Sequence, residues 1–303
     1  MINFTLKQLK YFEALAQCRH FGRAADACAI TQPALSLQIK ELETSLGVVL
    51  FERGARQIQL TGFGEEFADR VREIVRASEE LKEMARASQA GHLGKLRIGV
   101  IPTIAPYLLP TLIGQLNAKY YDLDIHVRET LTSKLLEELA DGHIDTAIVA
   151  LPVSEPMFTE TSLFSEEFVL IRPDKDKDQP VPNSDNLREM KLLLLEEGHC
   201  FRDQALSFCN IQTLRPWEGL DGSSLSTLVQ MVGVGLGVTL IPEMAVSVET
   251  GGAPVSVSQF EKPRPNRTIG MIWRKTSPLA SQLTEVAEIV KLSGEGLRQP
   301  RSH

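Results

Sequence analysis

Apolar side chains recur at helical intervals through the first sixty residues. In residues 5–16 they form one stripe, which predicts an amphipathic helix. A second short helix is expected over 22–27. The turn Thr31-Gln32-Pro33 opens a third helix, because proline is tolerated in a first turn, and Gly47 ends that helix with a left-handed cap. The apolar positions are Leu6, Leu9, Phe12, Leu15 and Ala16 in the first helix and Leu35, Ile39, Leu42 and Leu46 in the third.

Short helices joined by a tight turn, with small polar side chains near the start of the last one, predict a helix-turn-helix. The third helix would lie in the major groove of DNA, where Gln and Ser can read base edges. A two-stranded wing is expected over 49–51 and 57–60, placed to meet phosphates or the minor groove. A small helical interaction domain is the alternative. The expected DNA-binding residues are Thr31, Gln32, Pro33, Ser36, Gln38, Lys40, Arg53 and Arg56.

The pattern then changes to one long helix, from Gly62 to Ala90. Its apolar and small positions alternate spacings of four and three, which is the seam of a two-stranded coiled coil and predicts dimerisation. A lone amphipathic helix packed on its own domain is the alternative, which the dense charges on the other faces disfavour. The seam positions are Phe67, Val71, Ile74, Ser78, Leu81, Ala85 and Ser88.

After the break at 91–94, strands alternate with helices, which predicts a parallel or mixed sheet covered on both sides and divided into two lobes with a cleft. The fold class is therefore α+β overall, organised as a winged helix-turn-helix over 1–61, a linker and dimerisation helix over 62–91 and an α/β domain with two subdomains over 92–303. The predicted strands are 96–101, 125–129, 145–150, 168–171, 191–195, 238–242 and 268–273, and the predicted helices are 107–119, 133–141, 224–232 and 279–292.

Composition narrows the class of protein. The net charge of −7 argues against a protein coated in nucleic acid. Residues 1–60 contain seven basic and five acidic side chains, and this small surplus indicates DNA binding only together with the groove-reading motif. Four cysteines and no basic stretch followed by an apolar run predict a cytoplasmic protein without a signal peptide. The longest apolar run, from Met231 to Pro242, is broken by glycines and far short of a membrane span.

Cys200 and Cys209 lie nine positions apart at a strand end that runs into a helix. In a continuous helix their Cα atoms would be ~13.5 Å apart on opposite faces. A disulfide needs Cα atoms within roughly 7 Å, so linking these cysteines would unwind the helix. The alternative is that both are buried thiols that fill space, which is also how we interpret Cys18 and Cys28.

Three polar residues follow predicted strands, where ligand crevices of open α/β sheets form: Thr103, Thr132 and Cys200. Around them His199, Arg202 and the amide-rich start of a helix would favour a thiolate, whereas Asp203 would oppose it unless Arg202 pairs with it. The threonines can also be simple helix caps. No His/Cys spacing indicates a metal site, and no cofactor is expected.

The chain resembles the LysR-type transcriptional regulators over its whole length. The resemblance is strongest in FGRAA at 21–25 and TQPALSLQIKELETSLGVVLF at 31–51. Within that family, GHCFRDQALSFC at 198–209 and IPTIAPYLLP at 101–110 are similar to peroxide-sensing members. Gly22, the pair Gly54-Ala55 and Gln57 depart from that pattern in the DNA-binding region.

The resemblance implies that the α/β domain is a redox sensor of the periplasmic-binding-protein type, with Cys200 reacting with hydrogen peroxide and Cys209 resolving it. It also implies that Thr103 and Thr132 are the threonines of a peroxide pocket and that Arg267 lies near the thiol. The expected peroxide pocket consists of Thr103, Thr132, His199, Arg202, Asp203 and Arg267. The expected assembly is a homodimer or a tetramer of two dimers on double-stranded promoter DNA. RNA polymerase would be recruited to antioxidant genes, and glutaredoxin or thioredoxin would reduce the disulfide.

Two other functions fit the same residues. One is a LysR-type regulator whose cleft binds a small metabolite and whose cysteines are incidental. The other is a cytosolic thiol enzyme, such as a peroxidase, with an added dimerisation module. We expect a regulator and not an enzyme. If Cys200 is replaced by Ser, the first alternative predicts an intact transcriptional response, whereas a peroxide sensor would lose its response. Sustained peroxide turnover with a thiol reductant would indicate the second alternative.

Overall fold

The computed structural model describes residues 4–52, 58–88, 93–187, 190–208 and 221–298. The chain divides into two compact units, Met1–Ala85 and Arg86–His303. Each unit has its own apolar core. Among the described residues, no helix combines the length and the apolar character needed to cross a membrane. The boundaries 1–61, 62–91 and 92–303 remain our proposal for the functional division of the chain.

Three helices form the core of the first unit: α1 (Leu6–Cys18), α2 (Phe21–Ala27) and α3 (Gln32–Leu46). The predicted stripes of α1 and α3 face this core, except that Leu6 is exposed. The hydroxyl of Thr5 accepts from the amide of Gln8 in a capping box, and the hydroxyl of Thr31 accepts from the amide of Ala34 at the start of α3. Gly47 ends α3 with φ of +73°, the left-handed cap that the sequence predicts.

A short wing follows, made of β1 (Phe51–Glu52) paired antiparallel with β2 (Gln59–Leu60). It is attached to α3 by the buried carboxylate of Glu43, whose Oε1 accepts from the backbone amides of Leu50 at 2.8 Å and Phe51 at 3.3 Å. The sequence predicts the wing but not this attachment, because glutamate is ordinarily exposed. Position 43 nevertheless lies on the apolar face of α3, four residues after Ile39 and three before Leu46.

The long helix α4 (Gly62–Ser88) is divided between two environments. Phe67 contacts the ring of Phe12 with centroids 5.1 Å apart, and Val71 is buried in the core of the first unit. Ile74 and Leu81, seven residues apart, are 48% and 66% exposed. The predicted seam is therefore wrong at its start, where α4 packs on its own unit, and available for a partner only from Ile74 onward.

The second unit is built on a seven-stranded mixed sheet in the order β10-β6-β11-β5-β3-β4, with β9 also paired to β6. Parallel pairing joins β3 to β4 and to β5, whereas β6, β9, β10 and β11 pair antiparallel. The strands are β3 (Lys95–Val100), β4 (Asp124–Glu129), β5 (Thr146–Leu151), β6 (Phe158–Pro173), β7 (Leu194–Leu195), β8 (Asp221–Gly222), β9 (Thr239–Pro242), β10 (Val255–Gln259) and β11 (Asn266–Arg274).

Strand β6 connects the two lobes. Its residues 158–167 pair with β11, and its residues 168–173 pair with β9 and β10. A separate two-stranded parallel sheet is formed by β7 and β8, and α9 contacts both of its strands. The helices of this unit are α5 (Ala105–Lys119), α6 (Thr132–Ala140), α7 (Ser184–Leu187), α8 (Cys200–Phe208), α9 (Leu225–Gly233), α10 (Val246–Glu249) and α11 (Ala280–Arg298).

Most predicted elements lie within a few residues of their observed bounds, and the differences are informative. The strand predicted over 168–171 is only the last part of β6. The first ten residues of β6 mix buried and polar positions, so they show no clear strand pattern in the sequence. The strand predicted over 191–195 is reduced to β7 and an isolated bridge from Leu192 to Val238. Strand β10 is absent from the sequence prediction although Val255 and Val257 alternate with serines, because the run is only five residues long.

Removing the carboxylate of Glu43 tests its role in holding the wing. E43A should destabilise the first unit by about 1–3 kcal/mol, because two buried amides lose their acceptor. Urea unfolding measures the loss, and amide hydrogen exchange at Leu50 and Phe51 locates it. E41A is the matched control, since Glu41 is exposed on the same helix and accepts only from Gln38 among the hydrogen bonds described. Equal effects of the two variants would contradict the assignment.

Candidate functional site

The thiol of Cys200 lies at the first residue of α8, where the chain enters the helix from a tight turn. Gly198 has φ of +96°, a conformation that favours glycine, and a side chain there would also meet Leu131 at 3.0 Å. Cys200 is half-buried and its thiol is free. The glycine therefore allows the turn that brings Cys200 against the β4–α6 connection.

A small pocket surrounds this thiol, built from the turns that precede three helices. Thr103 comes from the segment before α5, Thr132 starts α6, and His199 and Cys200 come from the start of α8. The lining residues are Ile101, Pro102, Thr103, Leu131, Thr132, Gly198, His199, Cys200 and Phe201. The sequence predicts this meeting of Thr103, Thr132, His199 and Cys200, and the structure places all four in one pocket.

The pocket is too small for most metabolites. The space open to the centre of a water-sized molecule is about 10 Å³. That is roughly the room that one water molecule needs, whereas pockets for drug-sized ligands enclose about 300–1,000 Å³. A solute of very few heavy atoms fits here.

The two threonine hydroxyls of the pocket differ in the hydrogen bonds that they already make. The Oγ1 of Thr103 accepts a hydrogen bond of 2.8 Å from Arg267 Nη1, so its proton remains available for donation. The Oγ1 of Thr132 is enclosed and makes no hydrogen bond within the described part of the chain. Because buried hydroxyls are normally satisfied, this one is available to a ligand that can donate or accept.

A buried ion pair supports Thr103 from behind. The guanidinium of Arg267 donates from Nε to Glu166 Oε1 at 2.6 Å, and both side chains are fully buried. Nη2 of the same guanidinium donates to the backbone carbonyl of Thr103 at 3.1 Å. The guanidinium also lies 5.3 Å from the ring centroid of Phe201, the residue after Cys200. This contact joins the pocket to the first turn of α8.

The electrostatics of the pocket favour an anion. Helices α6 and α8 begin at its lining and α5 begins just after it. No described side chain caps the first turn of α6 with a hydrogen bond, whereas the first amides of α5 donate to backbone carbonyls. Unsatisfied amides and the positive ends of helix dipoles stabilise negative charge.

His199 is nearly inaccessible, and burial lowers its pKa from the ordinary value of 6.5, although Glu196 at 3.9 Å opposes the shift. The imidazole is therefore neutral at neutral pH. A neutral imidazole beside a thiol can accept its proton and can also donate a hydrogen bond.

Three predicted pocket residues do not line the pocket: Arg202, Asp203 and Arg267. Arg267 lies behind Thr103, to which it donates. The side chain of Arg202 is directed to the carbonyl of Leu195, which it meets at 2.7 Å from Nη1. Asp203 is exposed on the next position of α8. Helical geometry turns consecutive side chains by about 100°, so position 202 lies about 200° around α8 from Cys200 and faces away from the pocket. Position 203 lies on the same side of the helix as Cys200, but Asp203 is exposed to solvent.

The position of the second cysteine lies outside the described residues, as do Arg53 and Arg56. Helix α8 is continuous from Cys200 to Phe208, which separates the Cα atoms of its ends by about 12 Å. Phe208 packs on Phe260 with centroids 5.2 Å apart. A disulfide from Cys200 to Cys209 therefore requires α8 to unwind, since it needs Cα atoms within roughly 7 Å.

The predicted DNA-binding side chains lie at the start of α3. All six of those that the structure describes are accessible to solvent, and Gln38 also donates to Glu41 at 2.8 Å. The accessible members are Thr31, Gln32, Pro33, Ser36, Gln38 and Lys40.

Sequence reasoning missed Glu166 and the contact of Arg267 with Phe201. The first ten residues of β6 were not recognised as a strand, so nothing indicated that Glu166 faces the interior. Its fully buried carboxylate becomes evident only when β6 pairs with β11.

Lowering the pH tests the assignment of a neutral, buried His199. Because its pKa is lowered in the folded chain, the unfolded chain binds the proton first as the pH falls below about 6.5. The free energy of unfolding should then decrease, by no more than about 1.4 kcal/mol per pH unit for this one group. Urea unfolding between pH 7.5 and 5 measures it, and H199Q should show a smaller dependence. Identical pH profiles would contradict the assignment.

Comparison with known proteins agrees with these observations. Residues 6–65 match the bacterial regulatory helix-turn-helix protein model of the LysR family, and residues 89–293 match the LysR substrate binding domain. The chain is 40% identical over 296 residues to the DNA-binding transcriptional dual regulator OxyR of Escherichia coli K12, which covers 96% of both chains. A probable hydrogen peroxide-inducible genes activator of Streptomyces viridosporus is 41% identical over 95% of this chain and 93% of its own length.

Solved structures show the same likeness. A full-length OxyR variant from Pseudomonas aeruginosa, 35% identical, has a TM-score of 0.75 and covers 96% of this chain and 98% of its own. A peroxide-bound OxyR mutant from Corynebacterium glutamicum, 34% identical, has a TM-score of 0.66 with 97% and 93% covered. The oxidised form of that protein has a TM-score of 0.59 at 33% identity, with the same coverage. The chain belongs to the LysR family of bacterial transcriptional regulators and, within that family, to the OxyR group.

Proposed function

We propose that this chain is a hydrogen-peroxide-sensing transcriptional regulator, an activator of antioxidant genes that is switched by a reversible disulfide between Cys200 and Cys209. The observation that carries the proposal is a half-buried thiol at a helix start, in a pocket of hydroxyls with room for only a few heavy atoms. Membership of the OxyR group supports it, because relatives bear the name of hydrogen peroxide-inducible genes activators.

The first chemical step is oxidation of Cys200. Its thiolate sulfur attacks one oxygen of hydrogen peroxide, the O–O bond breaks, and hydroxide leaves and takes a proton to become water. The sulfur loses two electrons and becomes a sulfenic acid, and the peroxide gains them. Thr103, which must donate, and Thr132, which is free to donate or accept, hold the two oxygens, and neutral His199 receives the thiol proton.

The second step forms the disulfide and remodels α8. The thiolate of Cys209 attacks the sulfenic sulfur, the S–S bond forms, and the hydroxyl leaves as water after protonation. Unwinding α8 gives up the packing of Phe201 and Phe208, and burying one such side chain is worth about 1.5–3 kcal/mol. A disulfide formed at that cost is more easily reduced than structural ones, which suits reduction by glutaredoxin or thioredoxin.

The output is altered binding to promoter DNA. Helix α3 presents Thr31, Gln32 and Ser36 to the major groove, and the wing arginines Arg53 and Arg56 meet the backbone. The exposed pair Ile74 and Leu81 on α4 supports a homodimer, which pairs again into a tetramer. RNA polymerase is the partner in transcription, the protein acts in the cytoplasm, and it needs no cofactor or metal.

The chemistry is stoichiometric, so the chain is a regulator and not an enzyme. One equivalent of peroxide oxidises one Cys200, and turnover stops until a reductant restores the thiol. A metabolite-responsive regulator is disfavoured for this pocket because of its size. Sustained peroxide consumption without a change in the DNA footprint would favour a thiol peroxidase instead.

Replacing each cysteine tests the proposal. C200S should lose both peroxide reactivity and the transcriptional response, because the attacking sulfur is gone. C209S should accumulate sulfenic acid on Cys200 without a disulfide or a changed footprint. Mass-spectrometric thiol mapping before and after one equivalent of peroxide, beside a DNA footprint, measures both. C18S is the control outside the site. An unchanged response in C200S, or no crosslink between positions 200 and 209 in the wild type, would contradict the proposal.

Loosening the far end of α8 tests whether helix unwinding controls disulfide formation. F260L removes the ring on which Phe208 packs, an aromatic contact worth about 0.5–1.5 kcal/mol. Disulfide formation should become roughly two to ten times faster, while sulfenic acid formation, followed in a C209S background, stays unchanged. V257A, a change at an exposed position of neighbouring strand β10, is the control. An equal acceleration of both steps would count against this role of α8.

A further inference from the structure

We propose that Glu166 is a positioning residue for the peroxide reaction: its buried carboxylate sets the direction of Arg267 and, through Arg267, the direction of the Thr103 proton. The inference rests on the proposed function and deepens it. Glu166 does not line the pocket, so its effect on the reaction passes through the guanidinium that contacts Thr103.

The geometry ties one carboxylate oxygen to the Nε–Nη2 edge of the guanidinium. Oε1 of Glu166 accepts from Arg267 Nε at 2.6 Å and also lies 2.6 Å from Nη2. A guanidinium is planar, so fixing Nε and Nη2 fixes the direction of Nη1. That third nitrogen is the one that donates to Thr103 Oγ1 at 2.8 Å.

The hydrogen bond from Arg267 decides what Thr103 can offer. A hydroxyl has one proton and accepts through its oxygen lone pairs. Because Nη1 faces the oxygen, the Thr103 proton must point elsewhere, and the pocket is the open direction. Peroxide then meets a donor on this side, next to the free hydroxyl of Thr132. If Nη1 turned away, Thr103 would be free to point its proton elsewhere and the pocket would lose its oriented donor.

Burial makes this arrangement sensitive to the carboxylate. Arg267 and Glu166 have no measurable side-chain exposure, so water does not replace a lost partner. The guanidinium also rests 5.3 Å from the ring of Phe201, on the first turn of α8. Glu166 therefore fixes a side chain that contacts both the pocket and the switching helix.

The next residue on β6 provides a built-in comparison. Glu167 pairs with Arg264 at 2.7 Å, but both side chains are about one-third exposed, and neither lines the pocket. Successive side chains of a strand point to opposite faces, so the same substitution at positions 166 and 167 tests the inner and the outer ion pair.

The test is the rate at which peroxide forms sulfenic acid on Cys200, measured by stopped flow and trapped for mass spectrometry in a C209S background. E166D keeps the charge that Arg267 needs, but its carboxylate is one methylene shorter and draws the guanidinium away from Thr103. We expect about a tenfold lower rate constant, and an unchanged one for E167D. Urea midpoints confirm that each variant is folded, and E166Q, which keeps the length and removes the charge, provides a second variant with the same expected direction.

A double-mutant cycle separates positioning from a general loss of structure. T103V removes the hydroxyl through which Glu166 acts, so E166D should lower the rate little or not at all in the T103V background. The same tenfold loss in both backgrounds, or a wild-type rate in folded E166D and E166Q, would overturn the inference while leaving the proposed function standing. A wild-type Cys200 that does not react with peroxide would overturn the proposed function, and this inference with it.

Discussion

The backbone hydrogen bonds of α8 are the constraint on which the sensor depends. As long as they hold, Phe208 is kept about 12 Å along the helix from Cys200. A sulfur–sulfur bond is incompatible with that distance. Oxidation therefore cannot be a local event, because closing the bond exchanges helical hydrogen bonds and aromatic packing for one covalent link. That competition turns a change at one sulfur atom into a change of fold.

Two aromatic anchors determine how firmly α8 is held. Phe201 packs edge-to-face on Phe168 with centroids 4.8 Å apart, and Phe208 packs on Phe260. Phe201 is nearly fully buried, whereas Phe208 is only partly so. The end of the helix near the reactive thiol is therefore the stronger attachment, and the end toward Cys209 is the weaker one, which is the order that lets the second cysteine move while the first stays in its pocket.

The pocket is assembled from elements that lie far apart in the chain. Thr103 precedes α5, Glu166 lies in β6, Phe201 lies in the first turn of α8 and Arg267 lies in β11. The guanidinium of Arg267 contacts the other three. A buried charge of this kind contributes little net stability, because desolvation offsets much of its attraction. Its value here is geometric, since it holds one donor direction in a space with room for almost nothing else.

Sequence alone determined the order of the domains and most helices and strands, because apolar periods are local properties that do not need tertiary contacts. It also indicated Thr103, Thr132, His199 and Cys200 as candidate pocket residues, because they lie at or near strand ends. The resemblance to known proteins added the family of the chain and the expectation that Arg267 lies near the pocket. Only the tertiary structure shows that Arg202 is directed to Leu195 and that Asp203 is exposed. It also shows that Glu43 and Glu166 are buried, and that α4 is buried at its start and exposed at Ile74 and Leu81. These outcomes depend on which strand pairs with which and on which helix face is covered, and such pairing between distant residues leaves no periodic signal in the chain.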